Sequence, residues 1–297
     1  MSVFALPYTL LRRDGEAPLS RAEPPRELAG IAPAGATATS PERRGGLMRP
    51  EVGRLIGERR FQLAFQPVVR LADMRPVSHL ALPRLADTPD AQPGAPTPSA
   101  RGFVEIARGG GFGPALDGAV LDVALATWTR GTETPISVNI AARSLRDPVF
   151  FARLLRRVAG EGRRIGVELG GVEGPDDLPP VAAAVAALRA ARVPVTLDDF
   201  AASEVMLACV QAARFDAVKF AGAVLGAAVA GSRGRRLLAE LVKLAALTGA
   251  KTVANWVESE PEAALPRGLG VGHGQGWLFG APEVPAASDR RHPLAPG

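Results

Sequence analysis

The amino-acid sequence predicts an α/β fold, a modified TIM (β/α)8 barrel with an antiparallel first strand, preceded by a flexible N-terminal arm. Three observations carry that prediction. Eight strand-like runs follow one another: FQLAFQPVV (61–69), VSHLALPRL (77–85), PISVNIA (135–141), RIGVELG (164–170), VPVTLDDF (193–200), AVKFAG (217–222), KTVANWV (251–257) and HGQGWLFG (273–280). From the second run onward the gaps mostly hold amphipathic helix patterns, and strands alternating with helices imply a parallel sheet closed on itself. The first gap, RLADMRP, is too short for a crossover helix, so the first two strands must form an antiparallel hairpin.

Residues 1–49 are rich in Pro, Gly, Ala and Arg and lack sustained apolar periodicity, which is the signature of a flexible arm. In RPEVGRLIGERR, the spacing of Val52, Leu55 and Ile56 predicts a helix before the first strand. The stretch ADTPDAQPGAPTPSA after the second strand reads as a long exposed loop. Helical periodicity then returns in PALDGAVLDVALATW, DPVFFARLLRRVAG, PPVAAAVAALRAAR and RRLLAELVKLAAL. The barrel domain is expected over 50–283, with a flexible tail over 284–297.

Composition narrows the function classes. A chain of 297 residues that is 47% hydrophobic can bury a large core. The single cysteine, Cys209, excludes an intrachain disulfide framework and a cysteine-rich zinc site. The net charge of +5 comes from scattered arginines, without a basic run interleaved with aromatics, so a nucleic-acid partner is not expected. No run of about 18 apolar residues suggests a membrane span. The short apolar run at the start precedes its arginines, the wrong order for a secretory signal, and the expected location is cytoplasmic.

In such a barrel the chemistry collects at the C-terminal ends of the strands. Those ends carry Gln66, Arg84, Asn139, Glu168, Asp198 with Asp199, Lys219, Asn255 with Glu258, and Gln275. A ring this rich in oxygen ligands suits divalent-cation hydrolysis of a phosphodiester. In that chemistry Asp198 and Asp199 would serve two metals and Lys219 would orient or deprotonate a water. The arginine and the amides would hold phosphate and base edges. The alternative is structural: Lys219 neutralises Asp198 or Asp199 within the mouth.

Over roughly residues 50–283 the chain resembles the EAL family of cyclic di-GMP phosphodiesterase domains. The resemblance rests on FQPVV, LALPR, FVEIARGGGF, SVNIAARSLRDPVF, VELGG, VTLDDF, DAVKF, VANWVES and GQGWLFGAP, in that order. It implies the barrel with an antiparallel first strand. It also implies metal ligands at Leu80, Asn139, Glu168, Asp198, Asp199 and Asn255, and substrate contacts at Gln66, Arg84, Asn139, Asp199, Glu258 and Gln275.

The pattern is broken at five places. Leu80 and Asn255 stand where the family carries glutamates, and Gly171 replaces a further one. The glycine-rich loop after DDF reads AASEVM (Ala201–Met206), so any left-handed conformation there would be costly. Ala221 replaces an aspartate. The expected reading is a degenerate, catalytically inactive domain that needs no cofactor, at most binding Mg or Mn weakly. It would act as a cyclic di-GMP receptor in bacterial signalling, with motility or biofilm control implied by the family. The alternatives are a nucleotide-independent adaptor for an unidentified protein partner and, last, an active Mg-dependent phosphodiesterase. The altered loop argues against the dimer seen in relatives.

Overall fold

The computed structural model describes residues 49–85, 100–128 and 134–285. The expectations for the arm, for the loop after the second strand and for most of the tail lie outside the described residues. Within them, α1 (Arg49–Gly57) precedes β1 (Phe61–Arg70) and β2 (Pro76–Leu85). Next come α2 (Ala100–Gly109), α3 (Gly113–Thr127), β3 (Ile136–Ala141), α4 (Pro148–Val158), β4 (Ile165–Gly170) and α5 (Leu178–Ala190). The second half holds β5 (Val195–Phe200), α6 (Glu204–Ala212), β6 (Ala217–Phe220), α7 (Gly222–Ala230), α8 (Ser232–Thr248), β7 (Lys251–Ala254), α9 (Glu260–Gly268) and β8 (His273–Gln275).

The strands close a barrel in sequence order. β1 is antiparallel to both β2 and β8, and the remaining neighbours are parallel. Phe61 therefore lies beside Leu85 at the C-terminal mouth, and Arg70 beside His273 at the opposite end. Among the described residues no helix is long and apolar enough to cross a membrane.

Alternation along the strands sorts the chemistry. Val138, Ile140, Val167, Leu169, Leu197, Val218 and Phe220 face the helices and belong to the main hydrophobic core. The positions between them face inward, and they are small or polar: Ser137, Asn139, Gly166, Glu168, Thr196, Asp198, Ala217 and Lys219. A barrel interior is ordinarily filled by large branched side chains. Here that filling is replaced by an ionic layer with small residues beneath it.

Three strands end earlier than the sequence suggests. β6 stops at Phe220, β7 at Ala254 and β8 at Gln275, whereas the apolar runs continue to 222, 257 and 280. Beyond their ends β7 and β8 exchange loop hydrogen bonds instead of a ladder. The Val257 amide donates to the Gln275 carbonyl at 3.1 Å, and the Leu278 amide donates to the Val257 carbonyl at 3.1 Å. Gly276 permits this approach, since a Cβ there would sit 2.0 Å from the Val257 oxygen. Helices α6, α7 and α9 carry weaker sequence signals than those recognised above. Each is short, and α9 contains Pro266.

The loop after DDF adopts a different solution from the one its composition suggests. The left-handed residue is Asp199, at φ 52°, while Ala201, Ala202 and Ser203 stay at negative φ. Ser203 instead caps α6, its side chain accepting a 3.3 Å hydrogen bond from the Met206 amide. The cost expected from losing the glycines therefore does not arise in that loop.

Candidate functional site

At the centre of the inner layer the Lys219 ammonium donates a hydrogen bond to Glu168 Oε2 and lies 3.7 Å from Asp198 Oδ1. Lys219 is 1% exposed and Glu168 is 4% exposed. The other Glu168 oxygen accepts from the Ser137 hydroxyl at 2.7 Å. Burial alone would lower the lysine's pKa. The carboxylates of Glu168 and Asp198, with Asp199 farther off, more than offset it, so the Lys219 pKa is raised. Lys219 is thus a fixed internal cation. Its first partner is Glu168, rather than Asp198 or Asp199, and Ser137 is a member of the network that the sequence reading passed over.

Beside this network, Gln275 Nε2 donates to Gln66 Oε1 at 3.1 Å, and Gln66 Nε2 donates to the Gly280 carbonyl at 3.3 Å. Gln275 is 2% exposed, and its Oε1 has no hydrogen-bond partner among the described residues. An unpaired buried carbonyl is an acceptor held ready at a cost of about 1–3 kcal/mol.

Leu80 is paired in register with Gln66 on one side and Ser137 on the other, and it is 5% exposed. Its inward side chain meets this polar layer with hydrocarbon. Asn139, which pairs in register with Glu168, is half-buried. Asn255 is also half-buried, and its side-chain oxygen accepts the Trp256 amide at 3.0 Å. Arg84 is half-buried at the mouth, donates to the Pro83 carbonyl at 3.1 Å, and has its pKa lowered by burial. Asp199 and Glu258 are exposed, and the Glu258 amide donates to Glu262 Oε2 at 2.8 Å. The structure therefore gathers Gln66 with Gln275, and Glu168 with Lys219 and Asp198. Arg84, Asp199 and Glu258 are set at or near the rim.

Local folding fixes this arrangement. Buried Asp117 of α3 accepts the Ala141 amide at 2.9 Å and the Ser144 hydroxyl at 2.7 Å, tying the end of β3 to the helix layer. Gly171 follows β4 at φ 69°, a left-handed turn that glycine adopts freely. Trp256 adopts φ 61°, unusual for a bulky residue, with its ring where a Cβ on Gly222 would come within 2.9 Å. Trp256 and Trp277 remain 47% and 50% exposed beside the ends of β7 and β8.

Both Glu168 oxygens are engaged, the Asp198 carboxylate faces an ammonium, and Leu80 offers no donor. Among the described residues no three His, Cys, Asp or Glu side chains converge to hold a metal.

Residues 51–282 match the EAL domain family model. An uncharacterized protein of Mycobacterium tuberculosis (strain ATCC 25618 / H37Rv) is 27% identical over 233 residues, covering 74% of each chain. The PaMucR phosphodiesterase in complex with c-di-GMP superimposes with a TM-score of 0.70 at 21% identity, over 80% of this chain and 98% of that one. The FimX EAL domain of Xanthomonas citri, in complex with c-diGMP, gives 0.66 at 19% identity, over 77% and 91%. The EAL enzyme Bd1971, with cAMP and cyclic-di-GMP bound, gives 0.69 at 18% identity over 80% of this chain, which spans 65% of that enzyme's length. At these identities the structural likeness is one of fold.

Proposed function

The chain belongs to the EAL domain family, and from that premise we propose that it is a cyclic di-GMP receptor that holds the nucleotide without metal and leaves it intact. The observation that carries this reading is the position of Lys219. An ammonium bound to Glu168 and facing Asp198 engages carboxylates that a metal-dependent hydrolase would use to hold dications. Its charge is already matched by those carboxylates, and it cannot generate hydroxide from a bound water as a metal does. Leu80, paired in register with Gln66 and Ser137, offers no further donor.

The holding groups are retained. Arg84 at the mouth suits a phosphate oxygen. The unpaired Gln275 Oε1 suits a ring or amino N–H of guanine, with Gln66 fixing the amide's orientation. Asn139, Asp199 and Glu258 complete the polar surround, and the exposed indoles of Trp256 and Trp277 offer flat faces beside it.

The test is product analysis. Purified full chain incubated with cyclic di-GMP and Mg²⁺ or Mn²⁺ should return the nucleotide unchanged. Accumulation of linear dinucleotide, abolished by Asp198→Ala, would overturn the reading.

A second reading, a nucleotide-independent adaptor for a protein partner, is favoured by exposed aliphatic side chains on α7 and α8. Val229, Leu237 and Leu247 are all exposed there. Loss of partner capture on changing these three to serine, with nucleotide binding absent, would support it over the first.

A further inference from the structure

The ionic layer has a second face. Beneath Glu168 and Lys219, toward the N-terminal ends of the parallel strands, a cavity of about 1030 Å³ opens to solvent. It exists because the inward residues at that level are small. Ser78, Gly166, Thr196 and Ala217 stand where a barrel normally packs branched side chains. The volume suits a small organic ligand, since such sites run to about 300–1,000 Å³.

Its charge is one-sided. The wall contains the basic residues Arg70, Arg189, Arg192, Arg214, Lys219 and Lys251, against the acids Glu168 and Asp216. Lys219 is matched by Glu168, Arg189 by Asp216, and Arg70 by Asp73 outside the wall. Arg192, Arg214 and Lys251 remain, all exposed and without an ion pair among the described residues. They come from three successive turns, before β5, before β6 and at the start of β7, so they form one arc of the rim. Arg192 adopts φ 62°, a conformation where glycine or asparagine is usual, and it holds that corner nonetheless. His273 reports the same field from inside. Burial chiefly, and then Lys251 and Arg70, hold its pKa down, although its contact with the Thr252 carbonyl opposes them.

We propose that this cavity binds a phosphorylated small molecule, with phosphate on Arg192, Arg214 and Lys251 and a hydroxyl-bearing body in the recess below Glu168. Guanidinium and ammonium groups at a rim favour a multiply charged anion. Between apolar side chains such as Val193 and Phe215 the recess offers the hydroxyls of Ser78 and Thr196, polar partners for a sugar phosphate or mononucleotide. The site lies at the opposite end of the barrel from the proposed cyclic di-GMP mouth, and its existence does not depend on that reading.

The experiment uses the full chain in EDTA, with fructose 1,6-bisphosphate, AMP and inorganic sulfate as probes, read by calorimetry and thermal shift. At least one organic phosphate should bind saturably and raise Tm, and sulfate should bind more weakly. The triple variant Arg192→Gly, Arg214→Ala, Lys251→Ala changes only exposed side chains. It should fold and weaken binding by about tenfold or more. A control triple, Arg156→Ala, Arg233→Ala, Arg236→Ala, removes equal charge from exposed helix positions outside the cavity wall and should leave binding intact. The proposal is overturned if neither organic phosphate binds up to about 1 mM. It is equally overturned if sulfate binds as well as they do, or if the two triple variants weaken binding alike.

Discussion

Lys219 and Glu168 form a buried ion pair at the centre of the barrel. Ser137 donates to the carboxylate from β3, and Asp198 faces the ammonium from β5. The pair separates the proposed nucleotide mouth from the basic cavity at the other end.

Breaking that pair should be expensive. Lys219→Met would leave Glu168 buried beside Asp198 with no cation, a change that typically costs about 3–5 kcal/mol. Urea unfolding is the measurement. The double variant Lys219→Met, Glu168→Gln should regain part of the loss, because the uncompensated charge is removed.

The raised Lys219 pKa sets an alkaline limit. A base whose folded pKa exceeds its unfolded value stabilises the fold fully below about 10.5, and this is lost as pH rises through the folded value. Unfolding curves taken above the usual lysine range should therefore show falling stability, with a slope that Lys219→Met reduces.

Acid acts through the histidines. Burial lowers the pKa of His79 and of His273 from 6.5, so the unfolded chain takes up protons first as pH falls. Their contribution is present above that value and is lost on acidification through the folded values. The decline in stability between neutral pH and about pH 5 should be shallower in His273→Gln.

Cys209 should be inert. Burial, aided by the negative charge of Asp177, pushes its thiol pKa up to about 11. A disulfide reagent at mildly alkaline pH should label it in urea and leave it untouched in the native protein.

Gly276→Ala should lower stability by about 1–3 kcal/mol or more, because the new Cβ would enter the Val257 backbone. It should also weaken cyclic di-GMP binding, since this crossing places Gln275. Thermal melts and a nucleotide titration on one sample would check both effects.

Much of the architecture was legible in the sequence because periodicity reports it directly. The short gap between Arg70 and Pro76 dictated the antiparallel hairpin, and alternation in ISVNIA and IGVELG separated outward from inward residues. The ends of β7 and β8 were not legible, because apolar residues such as Val257 and Leu278 pack across a loop crossing that mimics a continuing strand. Within the site, the position of each strand-end residue could be inferred, but not its partner. Whether Lys219 meets Glu168, Asp198 or Asp199 depends on the register of β4, β5 and β6. Ser137 was passed over because one serine in a strand carries no distinctive signal. The basic cavity was invisible for a related reason: Arg192, Arg214 and Lys251 are far apart in sequence and are brought together only by barrel closure.

The most direct test of the account is a calorimetric titration of the full chain with cyclic di-GMP in EDTA, repeated with Mg²⁺. The account predicts saturable binding in EDTA that Mg²⁺ does not strengthen and that Arg84→Ala or Gln275→Ala weakens. No heat in EDTA, or binding that appears only with the metal, would contradict it.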